Sequence, residues 1–312
     1  MAASYEEFFA RRELKPGQNS SVRVFDLATG QIEEVYATAS AIVGTANWTY
    51  NDTLVFNANG RIFQVSVAGG QPQLIDFGRT DLNHDHTLSP ERDAIYLTTN
   101  GCDLLRGSLA GGPPVVVTDN HDGLVARYAH GVSPDGGTLL FTGGNTNGWL
   151  APYHIYALDL ASRQVRQLTD SAPFRDDGPE FTPNAEWIYL QSDRAAQLSG
   201  HMQIFRMRPD GTDLTQITHD ARVNWFPHPS PDGRHLVYLS YEPLVVGHPF
   251  HVFVDLVVLE LPSHAEVARF EIFGGNGSLS ENGWSPDGQK FSFTEYRLCQ
   301  EQTRHQEGDM AT

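Results

Sequence analysis

Hydrophobic positions in this chain recur as short apolar runs of strand length, each placed after a Ser/Thr-Pro pair. Ala94–Leu97 follows Ser89-Pro90, Leu139–Phe141 follows Ser133-Pro134-Asp135-Gly136, and Trp187–Leu190 follows Thr182-Pro183. Leu236–Leu239 follows Ser230-Pro231-Asp232-Gly233, and Phe291–Phe293 follows Ser285-Pro286-Asp287-Gly288. The steps between pairs are 44, 49, 48 and 55 residues. Strand-type runs at this period predict a β-propeller of four-stranded blades. Proline presets φ in each turn and glycine closes the bend. Third and fourth strands recur too, as in His154–Leu160 with Gln164–Thr169 and Met202–Arg208 with Asp213–Thr218.

A further copy, Asn47-Trp48-Thr49-Tyr50 then Thr53–Phe56, lacks the Ser-Pro pair but leads into Arg61–Val67 and Pro72–Asp76. That makes five full blades. The last copy stops after two strands, near Tyr296, while Ser21–Leu27 and Gln31–Tyr36 form a pair without a blade. Val22–Leu27 reads like Ile155–Leu160, a third strand. Joining the chain ends inside one blade closes the ring and removes open edges. The expected fold is all-β, a six-bladed propeller with blades at about 47–77, 84–118, 128–169, 178–218, 226–272, and 282–297 plus 21–37. Residues 1–20 read as an extension with a short helix and 299–312 as a flexible tail. A seventh blade would need roughly 45 more residues.

Charge narrows the partners. The chain has 312 residues, 38 acidic against 21 basic, and a formal net charge of −17. That balance disfavours nucleic acid and anionic membranes as general partners. Two cysteines, Cys102 and Cys299, are too few for a disulfide framework. No apolar run approaches the ~20 residues of a membrane span. Met1–Leu14 carries Glu6, Glu7, Arg11, Arg12 and Glu13 and no signal-type apolar core, so the expected location is cytoplasmic.

The innermost strand of each blade runs from an upper face to a lower one. The Pro-Asp-Gly turns then lie below, and the long, chemically varied connections lie above, where function usually sits. The mouth of the central channel on the upper face is the expected site. Residues just before each Ser/Thr-Pro line it. His86 and His130 stand three residues before the serine, His228 stands two before, and Glu180 holds the same station in the blade between. Strands some 45 residues apart in sequence converge at a propeller axis. These four side chains are therefore candidate ligands for a divalent metal, Mn, Fe or Zn. Against that, offsets of two and three residues aim side chains in different directions along a strand, and channel histidines often bond only water. His84 is a candidate catalytic or supporting group, and Asp85 an orienting one.

Asp176, Asp177 and Glu180 are the densest acidic group, with Asp177 and Glu180 as candidate acid–base residues or sugar-hydroxyl acceptors. A turn in which Asp caps backbone amides is the plainer alternative. Arg79, Arg127, Arg175 and Arg222 sit on upper connections, and the last three are candidate binders of an anionic group. Pairing with nearby Asp81, Asp122, Asp176 or Asp220 is the alternative for each. Asn224, Trp225 and His248 are further candidate substrate contacts, and Gly247-His248-Pro249 a candidate lid. Tyr128, Trp149, Tyr153 and Phe226 are aromatics able to stack on sugar rings, whereas Trp48 and Trp284 read as blade core. No Gly-x-Ser-x-Gly elbow and no phosphate-binding glycine motif is present.

The repeat, from about Ser21 to Tyr296, resembles the TolB-type propeller repeat, also called PD40 or WD40-like, which is also found in prolyl oligopeptidase-type peptidases. Asn83-His84-Asp85-His86, Asp176–Glu180 and Asn224–Gly233 look like those of standalone TolB-like bacterial proteins. The family's namesake is a periplasmic partner of a lipoprotein. The propeller is also similar to that of oligogalacturonate lyases, in which channel histidines hold manganese beside an acidic sugar. Two functions follow as expectations. One is a metal-dependent lyase or isomerase acting on a small acidic sugar, with Asp177 or a histidine moving the proton. The other is a propeller that binds a protein segment or glycan on its upper face without catalysis.

Overall fold

The computed structural model describes residues 13–118, 122–146, 152–196 and 200–298. The proposed N-terminal helix, Trp149, Cys299 and the tail lie outside these residues. Every regular element among them is a strand. Two strands come first, β1 (Gln18–Asp26) and β2 (Ile32–Thr38). The first full blade is β3 (Asn47–Trp48), β4 (Thr53–Ala58), β5 (Arg61–Ser66) and β6 (Gln73–Ile75). The second is β7 (Leu82–Leu88), β8 (Ala94–Thr99), β9 (Leu104–Ser108) and β10 (Val115–Val116). The third is β11 (Ala126–Val132), β12 (Thr138–Gly144), β13 (His154–Asp159) and β14 (Val165–Gln167). The fourth is β15 (Asp176–Phe181), β16 (Ile188–Ser192), β17 (Gln203–Met207) and β18 (Thr215–Gln216). The fifth is β19 (Val223–Pro229), β20 (His235–Tyr241), β21 (Phe250–Glu260) and β22 (Glu266–Gly275). β23 (Lys290–Leu298) belongs to the sixth blade.

Each of the five full blades is a four-stranded meander in chain order. The sixth is assembled from both ends of the chain. β23 pairs antiparallel with β1 over nine residues, β1 pairs with β2, and a Trp284–Phe291 bridge marks the short inner strand. This closes a six-bladed ring with four-stranded blades. Arg23 Nη1 reaches Glu295 Oε2 at 2.5 Å across the closure.

Alternation along the second and third strands explains the packing. In β12, Leu139 and Phe141 face the second blade, whereas Leu140 faces the fourth. Period-2 side chains thus fill both sides of each blade. The resulting clusters sit between neighbouring blades, for example Ile62 with Leu97, or Tyr189 with Leu236. Trp48 and Trp284 belong to such clusters, as their position before the turn predicted.

The turns below the ring share one construction. Ser230 Oγ and Ser285 Oγ donate to Asp232 Oδ1 and Asp287 Oδ1 at 2.6 Å, and Thr182 Oγ1 donates to Asn184 Oδ1 at 2.7 Å. Gly136, Gly233 and Gly288 close these bends at φ of +71°, +72° and +70°. No helix among the described residues is long and apolar enough to cross a membrane.

Candidate functional site

The inner strands are not regular. Register shifts fall between Leu82 and His86 in β7, Ala129 and Val132 in β11, Asp177 and Glu180 in β15, and Trp225 and His228 in β19. A bulge inserts an unpaired residue and re-aims its neighbours. All four bulges lie on the stretches where the candidate residues stand. At the bulge, Gly178 and Phe226 occupy equivalent places with φ of +61° and +56°. Glycine adopts this freely, but for a bulky residue it is an outlier. A Cβ at Gly178 would strike the Gln191 carboxamide, whose Oε1 accepts the Phe226 N–H at 3.0 Å.

Side chains from five blades form a hydrogen-bonded belt near the axis, and His130 of the third blade stands beside it against Asp177. His86 Nδ1 lies 2.8 Å from Asn47 Oδ1, and Asn47 Nδ2 donates to the Asn282 carbonyl at 2.9 Å. Asn282 Nδ2 donates to Glu180 Oε1 at 2.6 Å, and Glu180 Oε2 faces His228 Nδ1 at 2.6 Å. His228 Nε2 meets the Leu279 carbonyl at 3.0 Å. His130 Nε2 approaches Asp177 Oδ1 at 3.3 Å, and that oxygen also accepts from Thr142 Oγ1 at 2.7 Å. His84 Nε2 lies 3.5 Å from Asp85 Oδ1.

This geometry does not fit the expected metal centre. The Leu279 carbonyl only accepts, so His228 Nε2 carries a proton, and Nδ1 is taken by Glu180. Both nitrogens of that ring are engaged. His86 keeps Nε2 without a hydrogen-bond partner, but no second or third donor joins it. Among the described residues, no three His, Cys, Asp or Glu side chains converge to hold a metal ion.

Electrostatics set the character of the channel. Burial alone drives His86 down to about 3, so it is neutral. Burial also pulls His130 down, but the hydrogen bond and charge of Asp177, with Asp85 and Glu180, outweigh it and raise it above the usual value. Burial opposes ionisation of Asp177, yet His130 and Thr142 hold it below the ordinary range. Glu281 behaves oppositely. It is almost fully buried, and burial, then the charges of Asp85, Glu180 and Asp177, push it well above the ordinary range. The environment of Asp177 favours the carboxylate, whereas that of Glu281 favours the neutral acid. The position lies four residues before Ser285, one off the station of the belt, and only this assembly shows its role.

The His86 result has a measurable consequence. Its folded value is below the unfolded value of 6.5, so stability is present above 6.5 and is lost as pH falls toward 3. Wild type is expected to lose stability relative to a His86→Gln variant over that window, by up to about 1.4 kcal/mol per pH unit. Urea unfolding at stepped pH measures it. Parallel curves would contradict a buried neutral His86.

The candidate anion-binding arginines are paired. Arg127 makes a two-nitrogen contact with Asp122, one arm Nε to Oδ2 at 3.0 Å. Arg175 pairs with Asp193 at 3.3 Å, not with Asp176, whose carboxylate is taken by Arg194 at 2.6 Å. Arg222 meets Glu242 at 2.8 Å and Asp255 at 3.2 Å, and Arg79 meets Asp81 at 2.6 Å. All four arginines thus have a carboxylate partner, the alternative that their acidic neighbours in sequence had offered. Asn224 is fully buried, bonded to Asp220 and Ser240, and Trp225 is core, so neither presents a binding surface. His248 does fold inward, with its ring 4.4 Å from that of Trp225 and 5.3 Å from that of Phe226.

A second feature lies below the belt. A cavity of about 540 Å³ opens at the lower mouth, with Asn47, Glu180 and Asn282 in its wall and the Ser/Thr-Pro turns around it.

The model of the TolB β-propeller domain family (PD40) matches residues 115–247. An uncharacterized protein of Agrobacterium fabrum (strain C58) is 32% identical over 285 residues, 89% of this chain and 92% of its own length. The structure of a protein provisionally named TolB from Agrobacterium tumefaciens matches with a TM-score of 0.80 at 31% identity, over 90% of this chain and 99% of that one. Oligogalacturonate lyase in complex with manganese matches with a TM-score of 0.53 at 15% identity, over 88% of this chain and 78% of that one, a likeness of fold alone. With six four-stranded blades, a PD40 match in its central part and a relative that is similar along nearly the whole chain, this protein belongs to the TolB-like β-propeller family.

Proposed function

We propose that the protein is a binding propeller whose channel, above the belt, takes a lysine- or arginine-bearing segment of a partner protein. One observation carries this reading. The charges of Asp85, Asp177 and Glu180 all act on Glu281 in the channel, while the rim arginines are consumed by other carboxylates. The resulting field attracts a cation and repels an anion. An entering ammonium or guanidinium favours the ionised form of Glu281, so binding releases a proton and tightens as pH rises.

The test is calorimetry with N-acetylated, C-amidated Gly-Lys-Gly, Gly-Arg-Gly and Gly-Glu-Gly. The cationic peptides are expected to bind and the acidic one not. Asp177→Asn should weaken binding by about tenfold, or 1.4 kcal/mol. Added salt should weaken it further. Binding of Gly-Glu-Gly as well as Gly-Lys-Gly, or of neither cationic peptide, would overturn the reading.

Acid–base catalysis on a sugar is the second reading. It is favoured by a protonated Glu281 beside an ionised Asp177, two carboxyl groups driven apart in acidity. In that reading Glu281 donates a proton, the Asp177–His130 pair accepts one, and the substrate is neutral. An acidic sugar would face four carboxyl groups with the candidate arginines occupied. The donor set does not fit a metal, so no step passes through one. Turnover of neutral sugars in place of peptide binding would bring this reading forward.

A further inference from the structure

The lower cavity contains a residue that breaks the repeat. In three turns the fourth position is glycine, Gly136, Gly233 and Gly288, and in a fourth it is Ala185. In the second blade it is Arg92, held at φ +54°. The turn imposes a left-handed φ at this position in the other blades as well, Ala185 at +55° included, so what sets Arg92 apart is a long charged side chain where the others carry glycine or alanine. The Arg92 side chain lines the cavity. Its Nη1 donates to the carbonyl of Trp48 and, at 3.4 Å, to that of Trp284. The guanidinium lies over the Tyr50 ring, 5.2 Å from its centroid. None of these partners is a carboxylate, although most other arginines of this acidic protein have one.

Glu180 lines the same cavity and its charge acts on Arg92, yet the two are not within ion-pair distance. Each Glu180 oxygen has one partner, Asn282 or His228, and a carboxylate has about four acceptor sites. A lone anion would be opposed by Glu180 and a lone cation by Arg92. Leu88, Val132, Phe181 and the turn prolines supply the apolar part of the wall, beside the polar Thr87, Ser89, Glu91, Thr182 and Ser230. The volume, about 540 Å³, suits a small molecule.

We infer that the lower cavity binds a small zwitterion of the α-amino acid class, with its carboxylate on the Arg92 fork and its ammonium toward Glu180. An apolar side chain on the ligand meets the prolines and Phe181. Glu180 is shared with the acidic group of the upper channel, whereas Arg92 and the turn prolines belong to the lower cavity alone.

Calorimetry of the intact chain with L-leucine, 4-methylpentanoate and 3-methylbutan-1-amine tests the charge pattern. These probes are the zwitterion, the acid without its amine and the amine without its acid. L-Leucine is expected to bind at least tenfold more tightly than either. Arg92→Gly places at this turn the residue that three other blades use, so the variant is expected to fold. It should still melt cooperatively while losing at least tenfold in leucine affinity. Failure of leucine and of L-phenylalanine to bind at millimolar concentration would overturn the site. Equal binding by wild type and Arg92→Gly would leave Arg92 as a clamp between blades only. Equal binding of 4-methylpentanoate would overturn the zwitterion. The blocked peptides have no free carboxylate for Arg92, and Arg92→Gly leaves Asp177 and Glu281 in place, so loss of leucine binding with retained peptide binding in that variant reports the lower site alone.

Discussion

Arg194→Ala is expected to destabilise the fold by about 3–5 kcal/mol, the effect of stripping one partner from a buried ion pair. Asp176 is fully buried at the head of β15. Arg194 Nη2 lies 2.6 Å from both of its carboxylate oxygens, and Ser171 Oγ donates to one at 2.7 Å. Removing the guanidinium leaves a buried carboxylate with only a hydroxyl to satisfy it. The reverse change is milder. Arg194 is partly exposed, and in Asp176→Asn it can turn to water. The double change Arg194→Met with Asp176→Leu removes both charges and should recover much of the loss. Denaturant unfolding of the three variants measures the asymmetry. Equal losses in the two single variants would show that the pair is not the source of the effect. Asp176 precedes Asp177, so the anchor also fixes where β15 begins its bulge, and peptide binding should weaken in Arg194→Ala beyond what unfolding explains.

Glu281→Gln is expected to make the protein more stable at neutral and alkaline pH, by about 1–3 kcal/mol, the range for a buried polar group left without a full set of partners. Glu281 titrates well above its ordinary value in the folded chain. The native state therefore holds the proton after the unfolded state has lost it. The stability tied to that proton is complete below the unfolded value and declines as pH rises toward the folded one. Glutamine mimics the protonated acid and cannot lose it. The variant and wild type should match near pH 4 to 5, taking about 4.3 as the unfolded glutamate value, and diverge above it. The same variant should abolish the proton release that accompanies binding of the blocked lysine peptide. A difference in stability that does not vary with pH would show that Glu281 is ionised in the folded protein.

The fold was legible in the sequence because it rests on local rules. A Ser-Pro-Asp-Gly turn states its own geometry, and apolar runs of strand length state which residues face a neighbouring blade. The shared period of those runs states the architecture. The split sixth blade followed from Val22–Leu27 reading as a third strand that lacked a first and second. The station shared by His86, His130, Glu180 and His228 falls at the lower ends of the inner strands, next to the Ser/Thr-Pro turns, rather than at the upper mouth where the spacing places it.

What those residues do at the axis was not legible. Their partners come from other blades, and the bulges re-aim them in ways that residue spacing does not encode. Asn47 and Asn282, chemically plain in the sequence, complete the belt that occupies two of the candidate metal ligands. Arg127, Arg175 and Arg222 read alike along the chain, but carboxylates as far off as Asp255 neutralise them in space. Asp176 and Asp177, adjacent in sequence, part company because neighbouring residues on a strand point to opposite faces. One is sealed against Arg194 and the other faces the channel. Glu281 gained its acidity shift only from desolvation and from three carboxylates brought to it by two other blades, β7 and β15. Turn chemistry and hydrophobic periodicity act between near neighbours, so the sequence by itself determined the blades, their number and the position of the channel. Charge, tautomer and pairing depend on the sum of fields from distant segments, so the tertiary structure alone decided that this channel is a hydrogen-bonded acidic belt.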